Sequence, residues 1–116
     1  MDRGKVPREE LIEEIRAFMR RVSVEEAIFF GSRQRGDERP HSDLNLVLLD
    51  DRFAGQPLSK LLPELQAKWR WDIQVELLPC SREQFDEMQE WNTLAREAAE
   101  QGMHITVDLN EPEESD

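Results

Sequence analysis

Ala27-Ile28-Phe29-Phe30-Gly31-Ser32-Arg33 leads, across a charged spacer, to Asp43-Leu44-Asn45-Leu46-Val47-Leu48-Leu49, and the reading of these two runs decides the fold. The first run holds four apolar residues, short enough for a buried strand, and is cut off by Gly31-Ser32 and then by polar Arg33-Gln34-Arg35-Gly36. That pattern is a strand feeding a tight turn. The second run is apolar at every position after Asp43 except Asn45, as expected of a strand covered on both faces. Its period of two puts Asp43 and Asn45 on one face, with Leu44, Leu46 and Leu48 turned into the core.

The residues at this junction suit phosphate chemistry. A glycine permits close backbone approach, and N–H groups opening a short helix, together with the Ser32 hydroxyl, can receive an anionic phosphate. Arg33 would add charge-assisted hydrogen bonds. Two oxygen ligands two residues apart on a strand can point at one hard cation, and a carboxylate pair there would hold two Mg²⁺ ions. Here the pair is the carboxylate of Asp43 and the amide of Asn45.

Gly31-Ser32, the spacer and Asp43-Leu44-Asn45 resemble the signature of the DNA polymerase beta-like nucleotidyltransferase superfamily, in which Gly-Ser precedes an acid, an apolar residue and a second acid. Asn45 stands where the second acid belongs. The resemblance is closest to the minimal nucleotidyltransferases and runs from about Val24 to Val107. It implies an α/β (α+β) domain with a mixed sheet and helices packed mainly on one side. The implied reaction is metal-dependent transfer of a nucleoside monophosphate from a nucleoside triphosphate to an acceptor hydroxyl. Gly31, Ser32 and Arg33 would lie at the triphosphate. Asp43, Asn45 and Glu76 would lie at Mg²⁺, with Asp43 and Glu76 catalytic and Glu76 assisting the acceptor.

The third acid of that family sits on a later strand, for which Trp71–Leu78 is the candidate, with Asp72, Gln74 and Glu76 on one face. Glu76 lies inside the apolar part, just before an exit at Pro79-Cys80-Ser81; Asp72 is the alternative. An amide brings no negative charge and cannot easily bridge two cations about 3.5 to 4 Å apart. Asp50 and Asp51, at the far end of the same strand or beyond it, cannot replace it. The expected transfer is therefore weak or lost. The resemblance also implies a non-catalytic alternative, an interaction protein such as the antitoxin partner of a helical nucleotide-binding-domain toxin encoded nearby.

Plainer readings stand beside these. Gly31-Ser32 can be only a turn, Ser42-Asp43 a turn cap, and Glu76 a charge on an edge strand. Arg33 and Arg35 can be solvated, His41 a surface histidine, and Trp69, Trp71 and Trp91 packing residues, with Trp91 near a loop.

The 116 residues suffice for one modest core, read as a single domain over 1–107. The formal net charge of -11 opposes general nucleic-acid binding. Much of the excess lies in 108–116, an acidic tail expected to be disordered, while Glu83, Asp86, Glu87, Glu90, Glu97 and Glu100 crowd the last helices and would attract a basic partner. The lone Cys80 excludes an internal disulfide, fits a reducing compartment and is expected to pack as a small hydrophobe. No apolar run has the length of a membrane span and Met1–Arg8 lacks a signal-peptide core, so the expected location is cytoplasmic.

Apolar spacing predicts the remaining elements. Leu11, Ile12, Ile15, Phe18, Met19 and Val22 form a helical stripe after Pro7, and Leu58, Leu61, Leu62, Leu65 and Trp69 form another, with Pro63 expected in a first turn or at a break. Ser81-Arg82-Glu83-Gln84 has the form of a capping box opening a short helix. A further helix runs from about Thr93 to a stop at Gly102, followed by a closing strand over His104–Val107.

Overall fold

The computed structural model describes residues 6–110. Its elements are α1 (Arg8–Val22), β1 (Glu26–Phe30), α2 (Ser32–Arg35), β2 (Leu44–Leu49), a 3₁₀ turn (Asp51–Phe53), α3 (Leu58–Gln66), β3 (Val75–Cys80), α4 (Arg82–Met88), α5 (Thr93–Gln101) and β4 (Met103–Thr106). The four strands form one mixed sheet in the order β3-β2-β1-β4, antiparallel except for the parallel pair β2–β3.

Strand alternation sorts the apolar residues into two cores. Ala27, Phe29, Leu44, Leu46, Leu48, Val75, Leu77 and Ile105 face the larger one, closed by Leu11, Ile15, Phe18, Met19 and Val22 of α1 and by Leu61 and Leu65 of α3. Ile28, Phe30, Val47, Leu49 and Cys80 face a smaller core under Phe85 of α4 and Ala95 and Ala98 of α5. The chain is thus an α+β domain whose larger helix packing lies on one side of the sheet. Trp69 and Trp71 join the larger core, Trp69 meeting Phe18 edge-on at 5.2 Å.

Local chemistry explains the boundaries. The capping box forms, with Ser81 Oγ accepting from the Gln84 N–H at 3.1 Å and the Ser81 N–H donating to Gln84 Oε1 at 2.8 Å. Asn92 Oδ1 caps α5 through the Leu94 and Ala95 N–H groups. Gly102 ends α5 for a reason other than a left-handed cap: its φ is -76°, but a Cβ there would lie 2.3 Å from Ile28 Cγ2 and 2.5 Å from the Ala98 carbonyl oxygen.

Two expectations are corrected. Pro63 lies neither in the first turn of α3 nor at a break, and the helix continues to Gln66. The bond its ring forfeits is to Ser59, and both residues are exposed, so water can serve the orphaned carbonyl. The third strand begins at Val75 rather than Trp71, because the approach is bent and held by Trp69 Nε1 donating to the Ile73 carbonyl at 2.7 Å and Gln66 Nε2 to the Val75 carbonyl at 3.1 Å. It then runs on through Pro79-Cys80, where a proline is tolerated because β3 is an edge strand. Of the acidic tail, Asp108–Asn110 form a described turn region, with the Asp108 carbonyl accepting from Arg20 Nη1 at 3.2 Å; the rest lies outside the described residues.

Candidate functional site

The site begins where β1 ends. Phe30 pairs with Asn45, so the chain leaves β1 at the level where β2 enters the sheet. Gly31 makes the turn with φ 92° and ψ -167°, a conformation that side chains rarely adopt, and a Cβ on it would lie 2.3 Å from Asn45 Nδ2. The backbone conformation favours glycine, and a side chain here would in addition displace the Asn45 amide. The single turn of α2 closes on the Gly31 carbonyl, which accepts from the Gln34 and Arg35 N–H groups at 3.1 and 3.0 Å. Ser32 opens that turn and is half-buried.

Arg33 points inward. It is only 4% exposed, with Nε donating to the Ser42 carbonyl at 2.8 Å and Nη2 to the Pro40 carbonyl at 3.4 Å. Its Nη1 is buried without a hydrogen-bond partner among the described residues. The side chain staples the spacer onto α2, and the reading of Arg33 as a solvated loop residue is corrected. Ser42 completes the device: Oγ accepts from the Arg39 N–H at 2.8 Å while its own N–H donates to the Arg39 carbonyl at 3.0 Å. Asp43 is delivered to the mouth of β2 by this turn. Arg35, in contrast, is exposed and ties α2 to α5 through Glu97 at 2.6 Å.

Asp43 stands one residue before β2, exposed, with no hydrogen bond or ion pair among the described residues. The next residue locks the register, the Leu44 N–H donating to the Gln74 carbonyl at 2.8 Å and its side chain fully buried in the larger core. Alternation then places Asn45 on the opposite face. Asn45 pairs in register with Glu76 of β3, so the amide and the exposed carboxylate share one face of neighbouring strands about 4.8 Å apart. Val47, Leu49 and Cys80 on that same face lie in the smaller core, and Asn45 and Glu76 lie beyond it toward the strand beginnings.

The two candidates for the third acid occupy different places. Asp72, in the bend before β3, lines a cleft of about 450 Å³ with Arg33, Ser42, Asp43 and Gln74. Glu76 is outside that lining but directly across from Asn45. His41 is exposed at the same cleft. Among the described residues, no three histidine, cysteine, aspartate or glutamate side chains stand together as a metal site. The donors at hand are the carboxylates of Asp43 and Glu76 and the amide of Asn45, a set that does not fit a pair of cations. Burial pushes the Cys80 thiol up to about 12, and it sits in the smaller core as the inert hydrophobe expected.

Sequence reasoning missed Glu38, read only as a charge in the spacer. It is buried, with Oε1 lacking a hydrogen-bond partner among the described residues. Nothing in Gly36-Asp37-Glu38-Arg39 distinguishes the buried acid from its exposed neighbours.

No known family matches the chain, and no curated protein does. Among solved structures it is similar to the crystal structure of a "putative nucleotidyltransferase" from Sulfolobus solfataricus, with 18% identity, 68% of this chain and 74% of that one covered, and a TM-score of 0.54. At that identity the likeness is one of fold alone.

Proposed function

We propose that this chain is a degenerate nucleotidyltransferase, one that keeps the turn for a nucleoside triphosphate while transfer to an acceptor hydroxyl is weakened or lost. One observation carries the reading: the second-acid position is held by Asn45, seated on Gly31 and in register with Glu76. In an active relative of this fold Mg²⁺ would supply positive charge against the developing phosphoryl charge. Asp43 and Glu76 give this site two carboxylates for that purpose, with a neutral amide between them.

The chain's own residues support phosphate binding. Gly31 lets the backbone approach closely, Ser32 presents a hydroxyl at the turn, and Arg33 contributes by fixing the 40–42 loop rather than by reaching out. Calorimetric titration with Mg-ATP tests this. Weak binding, abolished by Ser32→Ala and Arg33→Ala, is expected. No binding at millimolar nucleotide would remove the nucleotide-binding reading.

A second reading, an interaction protein of antitoxin type, draws on a separate observation. Trp91 is 71% exposed and lines, with Leu58, Leu78 and Met88, a groove of about 260 Å³ beside the exposed acids of α4. A basic helical protein encoded nearby fits this chemistry. Co-purification from the native host, weakening with salt and surviving Asp43→Ala, is the expected result; recovery of no specific partner would count against it.

A further inference from the structure

On the larger-core side, between the C-terminal end of α1, the 3₁₀ turn and α3, lies a groove of about 370 Å³ whose lining includes Arg21, Arg52, Lys60 and Lys68 against the single carboxylate of Glu64. Such a concentration of cations is unexpected on a chain of net charge -11 with 15 bases in all. Two of the four are held in place by backbone carbonyls. Arg21 Nη1 donates to the Lys68 carbonyl and Arg52 Nη2 to the Val22 carbonyl, so the guanidinium groups are fixed across the groove; Arg52 is also paired with Asp50 at 3.3 Å, which leaves Arg21 and the exposed, adaptable Lys60 and Lys68 as the cations in excess over Glu64. The groove is separate from the Gly31–Asn45–Glu76 site, with which it shares no lining residue.

We propose that this groove is a binding site for an acidic peptide, and that its occupant is the chain's own segment 111–116, which carries Glu111, Glu113, Glu114 and Asp116. The described chain approaches the groove just before that segment. The Asp108 carbonyl is bonded to Arg20, adjacent to Arg21 in sequence, and Leu109 lines one surface cleft with Ser23, Asp50 and Asp51, next in sequence to Val22 and Arg52 of the groove. Six residues reach about 20 Å when extended, enough to enter the groove from there. Glu25 and Asp51 at the exit repel an acidic segment, while the groove attracts it. An external polyanion such as nucleic acid must approach against the net charge of the whole molecule, whereas a tethered segment has a high effective concentration.

The test is nitrogen-15 NMR on the full chain, following the side-chain Nε–H signals of Arg21 and Arg52 and the amides of 111–116. Neutralising the segment with Glu111→Gln, Glu113→Gln and Glu114→Gln is expected to shift the Arg21 and Arg52 signals and those of α3. Lys60→Glu with Lys68→Glu, both exposed positions, or half-molar salt is expected to release the segment, seen as a fall in its heteronuclear NOE. Arginine signals indifferent to the tail charges, or tail amides with the same NOE in every variant and salt, would overturn the proposal.

Discussion

The amide nitrogen of Asn45 lies where a methyl group on Gly31 would be, at 2.3 Å from an ideal Cβ. The turn after β1 and the first residues of β2 are therefore packed together, and the position that would carry a second acid lies against the phosphate-sized turn.

Replacing Gly31 with alanine should destabilise the chain strongly. The backbone conformation costs about 1 to 3 kcal/mol for a residue with a side chain, while the Asn45 amide, the far end of its side chain, can swing aside at a smaller added cost. In a double-mutant cycle, Asn45→Ala should recover the packing part and leave the backbone part, because the Asn45 Cβ is 3.5 Å away and tolerable. Denaturant unfolding of the four chains checks the coupling.

Arg33→Ala should cost about 1 to 3 kcal/mol, as expected for charge-assisted bonds from a buried guanidinium to two loop carbonyls. The loss should appear locally, as faster hydrogen exchange at Ser42 and Leu44. Arg33→Lys should behave almost as badly, since one ammonium cannot span both the Ser42 and Pro40 carbonyls with the same planar fork.

Pro63→Ala should stabilise α3 by about 1 kcal/mol, restoring a helical bond to Ser59 at the expense of a freer unfolded chain. Thermal unfolding measures it, and a lower melting temperature would mean that the proline ring packs usefully.

The thiol of Cys80 should resist modification in the folded protein and react only on unfolding. Its folded pKa, pushed up to about 12 by burial, lies above the ordinary value of 9.0, so the buried neutral thiol contributes stability that is fully present below pH 9. Between 9 and 12 the unfolded chain releases its proton first, and stability should fall as pH rises. Comparing unfolding of the native chain and Cys80→Ala across that window isolates the effect.

The fold was legible because two kinds of signal agreed. Apolar alternation placed β1 and β2 within a residue of their observed bounds, and capping chemistry placed α4 at Ser81. Where long-range contacts decide, the sequence was silent. The late start of β3 depends on Trp69 reaching the Ile73 carbonyl, and the inward turn of Arg33 depends on carbonyls seven and nine residues away. Gly102 was legible as a stop but not as a contact with Ile28, which only strand packing creates.

Restoring the missing charge tests the central claim most directly. With Asn45→Asp, nearly isosteric with the native side chain over Gly31, nucleotidyl transfer from labelled ATP to an acceptor should appear or rise in the presence of Mg²⁺ or Mn²⁺. The added carboxylate faces Glu76 directly and should slightly destabilise the metal-free chain, so folding is followed in parallel. The account predicts little or no transfer by the native chain and a gain in the variant that is lost again on Asp43→Ala; robust transfer by the native chain, abolished by Asp43→Ala, would contradict it.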